Sequence, residues 1–290
     1  MIDLGTLGGT LSEGWGVDNG QVVGDSSAAS GLHAFSWTEA GGMVDLGTLG
    51  GAVSVARGVS NGQVVGWSNV TGDSSVHAFS WTPTGGMIDL GTLGGTNSEA
   101  YGVSDGQVVG QSGTDINAPF AYHAFSWTPA GGMIDLGGTN SRAWGVDNGQ
   151  VVGETYAATD YHAFSWTPAG GMIDLGTLGG TESEAYGVSN GQVVGGSSIA
   201  GNAAYHAFSW TPAGGMIDLG TLGGTFSRAT GVSNGEVVGQ SSSGSGAYHA
   251  FSWTPAGGMI DLGTLGMLGG ESSAATGVSN GQVAGWSAPP

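Results

Sequence analysis

The chain has 290 residues, among them 62 Gly and 22 Asp or Glu but only 3 Lys or Arg, for a formal net charge of −19. Three arginines and no lysine cannot neutralise a nucleic-acid backbone or an anionic bilayer surface, and without cysteine there is no disulfide, thiolate nucleophile or thiolate metal site. No apolar run approaches the ~18 residues of a membrane helix, yet 39% hydrophobic residues with ten Trp suffice to build a folded core.

Repetition organises everything else. The segment Met-Ile/Val-Asp-Leu-Gly recurs at Met1, Met43, Met87, Met133, Met172, Met216 and Met259, at spacings of 42, 44, 46, 39, 44 and 43 residues. Each of the seven repeats carries, in order, MIDLG, a block like SEAYGVS, and QVVGxS. A fourth block, HAFSWT, completes six of them, at His33, His77, His123, His162, His206 and His249; the seventh runs to Pro290 without it. Length varies freely between QVVGxS and HAFSWT. In the crossover after MIDLG it changes by threes: the fourth repeat reads DLGGT for DLGTLGGT, and the seventh has three extra residues around Met267.

Along one repeat the elements are strands, because glycine interrupts every window in which apolar residues could keep helical spacing. Ser183 to Ser189 leads through Asn190-Gly191 into Gln192 to Ser197, and Asn-Gly between two β-rich runs is the strongest short hairpin signal, since both positions accept positive φ. Equivalent pairs stand at Asn19-Gly20, Asn61-Gly62, Asp105-Gly106, Asn148-Gly149, Asn234-Gly235 and Asn280-Gly281. HAFSW alternates His, Phe and Trp against Ala and Ser, and TPAGG turns the chain into the next MIDLG. Each repeat is therefore a four-stranded antiparallel meander. The tight hairpin excludes a parallel β-helix and favours a propeller. The small residues of SxAxGVS suit the crowded axis as the innermost strand, followed outward by QVVGxS, HAFSW and MIDLG. The expected fold is all-β: a seven-bladed β-propeller of four-stranded antiparallel repeats, with residues 1–290 as a single domain. Complete blades start at Ser12, Ser54, Ser98, Ser141, Ser183 and Ser227. The last blade is incomplete, with Ser273 to Ser287 as its inner hairpin and Met1 to Leu4 as its outer strand.

The phrases HAFSWT, MIDLGTLGG and GVSNGQVVG closely resemble the HAF-repeat family of bacterial extracellular repeat proteins, over essentially the whole chain. The resemblance implies a secreted or surface-exposed β-repeat protein with no assigned catalytic activity. Repeats this alike suggest recent duplication, and selection for an array or shell rather than for one asymmetric pocket.

Each of the six His begins the same strand of a different blade, which would form a ring too wide for one metal ion. A hydrogen bond within its own blade, to a Ser or to the MIDLG Asp, is its expected role. Asp3, Asp45, Asp89, Asp135, Asp174, Asp218 and Asp261 would cap turns or pair with those His. Calcium is their alternative use, although one Asp per repeat lacks the spacing of a calcium loop; no other cofactor is expected. Trp37, Trp81, Trp127, Trp166, Trp210 and Trp253 are expected in the core between blades. One inner-strand position varies in chemistry: Trp15, Arg57, Tyr101, Trp144, Tyr186, Thr230 and Thr276. Two residues earlier, the run Glu99, Arg142, Glu184, Arg228 alternates in sign and predicts ion pairs between blades near one mouth of the channel. Trp15, Tyr101, Trp144 and Tyr186, together with those four charges, form the candidate ligand-binding set, suited to a stacked glycan.

No nucleophile elbow, zinc helix or phosphate loop is present, and the largest inserted loop, Gly113 to Tyr122, holds one acid, Asp115. No enzymatic activity is expected. One functional reading is an extracellular or cell-surface structural module, assembling into a filament or surface layer through its incomplete blade. The other is a glycan-binding propeller lectin or adhesin. The missing HAFSW would leave open backbone edges on Val283 and on the N-terminal strand, and open edges recruit strands. Self-association or no partner is thus the expectation, with an extracellular glycan as the alternative and with neither nucleic acid nor membrane insertion; a neighbouring chain or residues beyond the given ends would supply the missing strand, and closure as a monomer, by an inward shift of the N-terminal strand, is the competing outcome.

Overall fold

A computed structural model describes residues 3–72, 75–118, 121–264, 272–279 and 281–288. The chain divides into two compact units, Met1–Val146 and Asp147–Pro290. In the first unit, Ser12–Asp18, Gln21–Ala28, Gly31–Thr38 and Gly42–Asp45 pair antiparallel in chain order. The same order holds for Gly50–Ser60, Gln63–Val70, Val76–Thr82 and Gly86–Asp89, and again for Ser98–Ser104, Gln107–Gly113, Tyr122–Thr128 and Gly132–Asp135. The strand Arg142–Asp147 spans the boundary. In the second unit Gln150–Ala157, Asp160–Thr167 and Gly171–Asp174 pair in sequence. Two four-stranded meanders follow, Gly179–Ser189, Gln192–Ile199, Tyr205–Thr211 and Gly215–Gly220, then Gly223–Ser233, Glu236–Ser243, Tyr248–Thr254 and Gly258–Gly263, and one parallel pair, Tyr205 with Phe226, joins them. A final hairpin, Ser272–Ser279 with Gln282–Ala288, stands as a two-stranded sheet. The blocks are strands in the order the sequence predicts, and the described helical content is one 3-10 turn, Ala200–Asn202.

The hairpin between first and second strands is a type I′ turn. Asn19, Asn61, Asp105, Asn148, Asn190 and Asn234 have φ of 45–50°, and the glycines after them 80–86°. Gly281 has φ 76°, while Asn280 lies outside the described residues. Nothing stands within 4 Å of a Cβ built on Gly191, so Gly191→Val acts chiefly through backbone strain and should cost about 2 kcal/mol. The sequence alone predicts a mild effect for the neighbouring Gln192→Val. The structure raises that expectation: Gln192 Nε2 donates to Ser209 Oγ at 2.8 Å, and losing that bond to a buried hydroxyl should cost about 1 kcal/mol. Denaturant melts of the two variants check both values, with Gly191→Val the less stable.

Cores lie between successive sheets. Val23, Ala34 and Leu46 of the first sheet meet Ala56, Val64 and Phe79 of the second, and Val65, Ala78 and Leu90 of the second meet Ala100, Val108 and Phe125 of the third. The arrangement recurs in the second unit around Phe208 and Phe251. Within one HAFSW strand Phe therefore faces the preceding sheet and Ala the following one, which is why both are fully buried. The tryptophans depart from expectation here. Trp81, Trp127, Trp210 and Trp253 are half-buried at the margins of these clusters beside Met87, Met133, Met216 and Met259, and phenylalanine forms the centre.

A serine clamps each sheet to the one before it. Ser98, fully buried, accepts the Ala78 N–H at 2.9 Å and donates to the Gly91 carbonyl at 2.6 Å. Ser54, Ser141, Ser183, Ser227 and Ser273 repeat this. The clamped serine and carbonyl are 7 residues apart at Ser54, 4 at Ser141 and 10 at Ser273, so both three-residue changes in the crossover fall between fixed ends. At the N-terminus, Asp3 and Leu4 are not in a strand, contrary to the expected outer strand Met1 to Leu4; Met1 and Ile2 lie outside the described residues.

Candidate functional site

The register that places Phe35 opposite Asp45 also brings His33, two residues earlier, within reach of that carboxylate. His33–Asp45, His77–Asp89, His123–Asp135, His162–Asp174, His206–Asp218 and His249–Asp261 all close at 2.8–2.9 Å through Nδ1, which donates because an ionised carboxylate can only accept. Each of these Asp also accepts an N–H two residues on, as from Gly47 at 2.8 Å. The pair thus ties the third strand to the fourth and fixes the turn leaving the sheet. Among the described residues no group of three or more His, Cys, Asp or Glu could hold a metal ion. In the first repeat Ser30 Oγ lies 3.1 Å from His33 Nε2, giving the order Ser30, His33, Asp45 of an acyl-transfer relay. However, the Asp45 side chain is 42% exposed, and the same His–Asp pair serves five other repeats as a strand tie.

Asp261 shows the electrostatic side of the pair. Burial acts to raise its carboxyl, but the hydrogen bond from His249, the backbone N–H of Gly263 and the His249 charge outweigh it and hold the group below the ordinary value. A depressed carboxylate contributes stability above its unfolded pKa and loses it as pH falls through the folded pKa. Stability should therefore drop on acidification below the usual carboxylate range, and His249→Ala should shrink that drop by about 0.5 kcal/mol at this exposed site, as read from urea melts across that window.

The variable inner-strand position lies on a β-bulge, which the sequence reading did not anticipate. The pairing skips Trp15 between Gly14 and Gly16, Arg57 between Ala56 and Gly58, Tyr101 between Ala100 and Gly102, Tyr186 between Ala185 and Gly187, and Thr230 between Ala229 and Gly231. A bulge re-aims the side chain it carries. It also forces the glycine of QVVG: a Cβ on Gly110 would sit 1.9 Å from the Glu99 carbonyl oxygen. First strands of successive repeats also approach backbone to backbone, since a Cβ on Gly58 would lie 3.0 Å from the Tyr101 carbonyl and one on Gly102 2.8 Å from that of Trp144.

In the first unit, Trp15 Nε1–H donates to Asp25 Oδ1 at 2.5 Å, and the Arg57 guanidinium lies 4.6 Å over the Trp15 ring. Tyr101 donates to Glu99 at 2.6 Å and packs on Trp144 at 4.5 Å between ring centres. Arg142 Nε donates to Gln111 Oε1 at 2.9 Å. In the second unit Tyr186 donates to Glu184, the Arg228 guanidinium lies 5.0 Å from the Tyr186 ring, and Tyr205 reaches the same Glu184 at 3.1 Å. Burial first, then the neighbouring carboxylates, push the phenols of Tyr101, Tyr186 and Tyr205 far above their ordinary range, so all three remain donors. Glu182, beside Glu184 and Asp160, is raised by burial and by those two charges.

Two partner positions escaped the sequence reading. Asp25 and Gln111 both occupy the x of QVVGxS, opposite Glu13 and Glu99 in register. The signal available was that x, like the bulged residue, changes in chemistry from repeat to repeat while the residues around it stay nearly constant. Where x is Gly196, the space is filled by Tyr205, whose ring would lie 2.2 Å from a Cβ there. The alternating charges are thus joined through tyrosine: Tyr101 feels both Glu99 and Arg142, and Tyr186 both Glu184 and Arg228.

No family model and no curated protein matches this chain. Its fold is similar to that of solved β-propellers at very low identity. The β-propeller domain of the Trilobed protease from Pyrococcus furiosus aligns with a TM-score of 0.60 at 10% identity, over 84% of this chain and 78% of that one. An oligogalacturonate lyase aligns at 0.56 and 9% identity, over 84% and 73%. Acylaminoacyl peptidase from Pyrococcus horikoshii aligns at 0.54 and 10%, over 89% and 45%. Against other matches the chain spans 51% of TolB from Acinetobacter baumannii and 26% of the tricorn protease. The architecture is accordingly all-β, of repeated four-stranded antiparallel propeller sheets.

Proposed function

We propose that this chain is a seven-bladed propeller working outside the cell as a structural module, without catalysis, that assembles through its incomplete last blade. The observation that carries the reading is where the repeats differ. They differ in loop length and in a small set of bulge-borne side chains, and those side chains engage one another: Trp15 with Asp25 and Arg57, Tyr101 with Glu99 and Trp144, Tyr186 with Glu184. The resemblance to HAF-repeat proteins supports an extracellular setting. A propeller described as having an open velcro topology, in the Pyrococcus furiosus protease, is a fold-level precedent for an unusual closure.

A glycan-binding reading is favoured by one feature. Trp15 is 45% exposed with a carboxylate at its indole nitrogen, and the Nε of the adjoining Arg57 is buried without a hydrogen-bond partner among the described residues. A glycan array separates the two readings. The structural reading expects no glycan above background. A glycan held by the native chain and lost in Trp15→Ala, with His249→Ala unaffected, would put the lectin first.

A further inference from the structure

In the sixth sheet the second strand, Glu236–Ser243, is covered along its edge by Tyr248–Thr254, with Val237 opposite Trp253 and Gly239 opposite Phe251. The matching strand of the last repeat, Gln282–Ala288, pairs with Ser272–Ser279 on one side, and among the described residues nothing pairs with its other edge. Burial records the difference. Val64, Val108, Val151, Val193 and Val237 are 0% exposed, whereas the equivalent Val283 is 40% exposed. Leu46, Leu90, Leu136, Leu175 and Leu219 are 6–8% exposed, whereas Leu262 is 46% exposed. Between them lies a cavity of about 250 Å³, lined by Ala250, Leu262, Ala275, Val283, Gly285 and Trp286. One sheet earlier, the same space among Ala207, Leu219, Ala229 and Val237 is filled by Phe251.

We propose that this groove binds an extended strand of the His-Ala-Phe-Ser-Trp pattern donated by a separate polypeptide, its Phe seated over Leu262 and its backbone continuing the sheet along Gln282–Ala288. The inference rests on reading the last repeat as a blade without its third strand. The chain supplies its own template: the six HAFSWT segments each cover an equivalent strand, with Phe opposite the glycine of QVVG. Within the described residues all six are paired in their own sheets, so the test supplies a further segment of this pattern as a separate peptide. Recognition is by main-chain hydrogen bonds along the edge and by one aromatic anchor in a preformed pocket.

The test is a fluorescence-anisotropy titration of the full chain with the labelled peptide Tyr-His-Ala-Phe-Ser-Trp-Thr, paired with amide hydrogen exchange. The groove predicts saturable binding and slowed exchange across residues 282–288. The same peptide with Ala in place of Phe should bind about 100-fold more weakly, from the loss of a buried aromatic. Leu262→Asp, at an exposed position, should leave the melting temperature unchanged and abolish binding. Absence of saturable binding, binding indifferent to both changes, or protection elsewhere would overturn the proposal. If the peptide fails while the mass of the chain still rises with concentration, assembly stands and uses another surface; if neither occurs, both readings fall.

Discussion

Gly110→Ala is expected to be among the most damaging single substitutions in this chain, costing about 3 kcal/mol, the upper end for overpacking. The added methyl would stand 1.9 Å from the Glu99 carbonyl oxygen and 2.9 Å from Ala100 Cα, and both are backbone atoms that cannot turn aside. The strand can relieve the clash only by losing its bulge, which would swing Tyr101 away from Glu99 and Trp144. Gly106→Ala is the informative comparison. It lies in open space with φ 83°, so it carries conformational strain of about 1 kcal/mol and leaves the bulge intact. Urea unfolding should rank the two, and the near-ultraviolet signal of the Tyr101–Trp144 pair should collapse only in Gly110→Ala.

Phe208→Ala is the second large effect. Phe208 is 0% exposed and packs with Val152, Ala163, Leu175, Ala185 and Val193, bridging two successive sheets of the second unit. Its truncation should cost about 3–5 kcal/mol, because the flanking strands are tied by hydrogen bonds and cannot collapse into the cavity. Trp210→Ala, at the half-buried margin of the same cluster, should cost roughly half as much. A calorimetric melt of both variants checks the order, which reverses if the tryptophan is the true core.

That order was not legible in the sequence, and the reason is physical. Alternation in His-Ala-Phe-Ser-Trp identifies a strand, but it cannot say which residue lies at the middle of a sheet covered on both faces. Phe208 sits there, and Trp210 is two residues nearer the strand end. Local signals, by contrast, are legible in the sequence. Asn190-Gly191 specifies its turn through positive φ at both positions, and the strand order follows from short antiparallel links. The alignment of Trp15, Tyr101 and Tyr186 as one inner-strand set was also legible, because repetition superposes them. The bulge beneath them was not, since a bulge is a property of two strands in register and each strand alone looks regular. Asp25 and Gln111 were missed for the same reason, as their contacts run across the hairpin. Tyr205 joins Glu184 only because Gly196 leaves room, a dependence visible in three dimensions alone.

The central claim is that an incomplete last blade makes this chain an assembling scaffold. Multi-angle light scattering of the purified chain over a wide concentration range, with negative-stain imaging of the same samples, tests it most directly. The account predicts a mass above 28.5 kDa that rises with concentration, with particles joined head to tail because the exposed strand edge is not self-complementary. A mass fixed at 28.5 kDa at every concentration would contradict it.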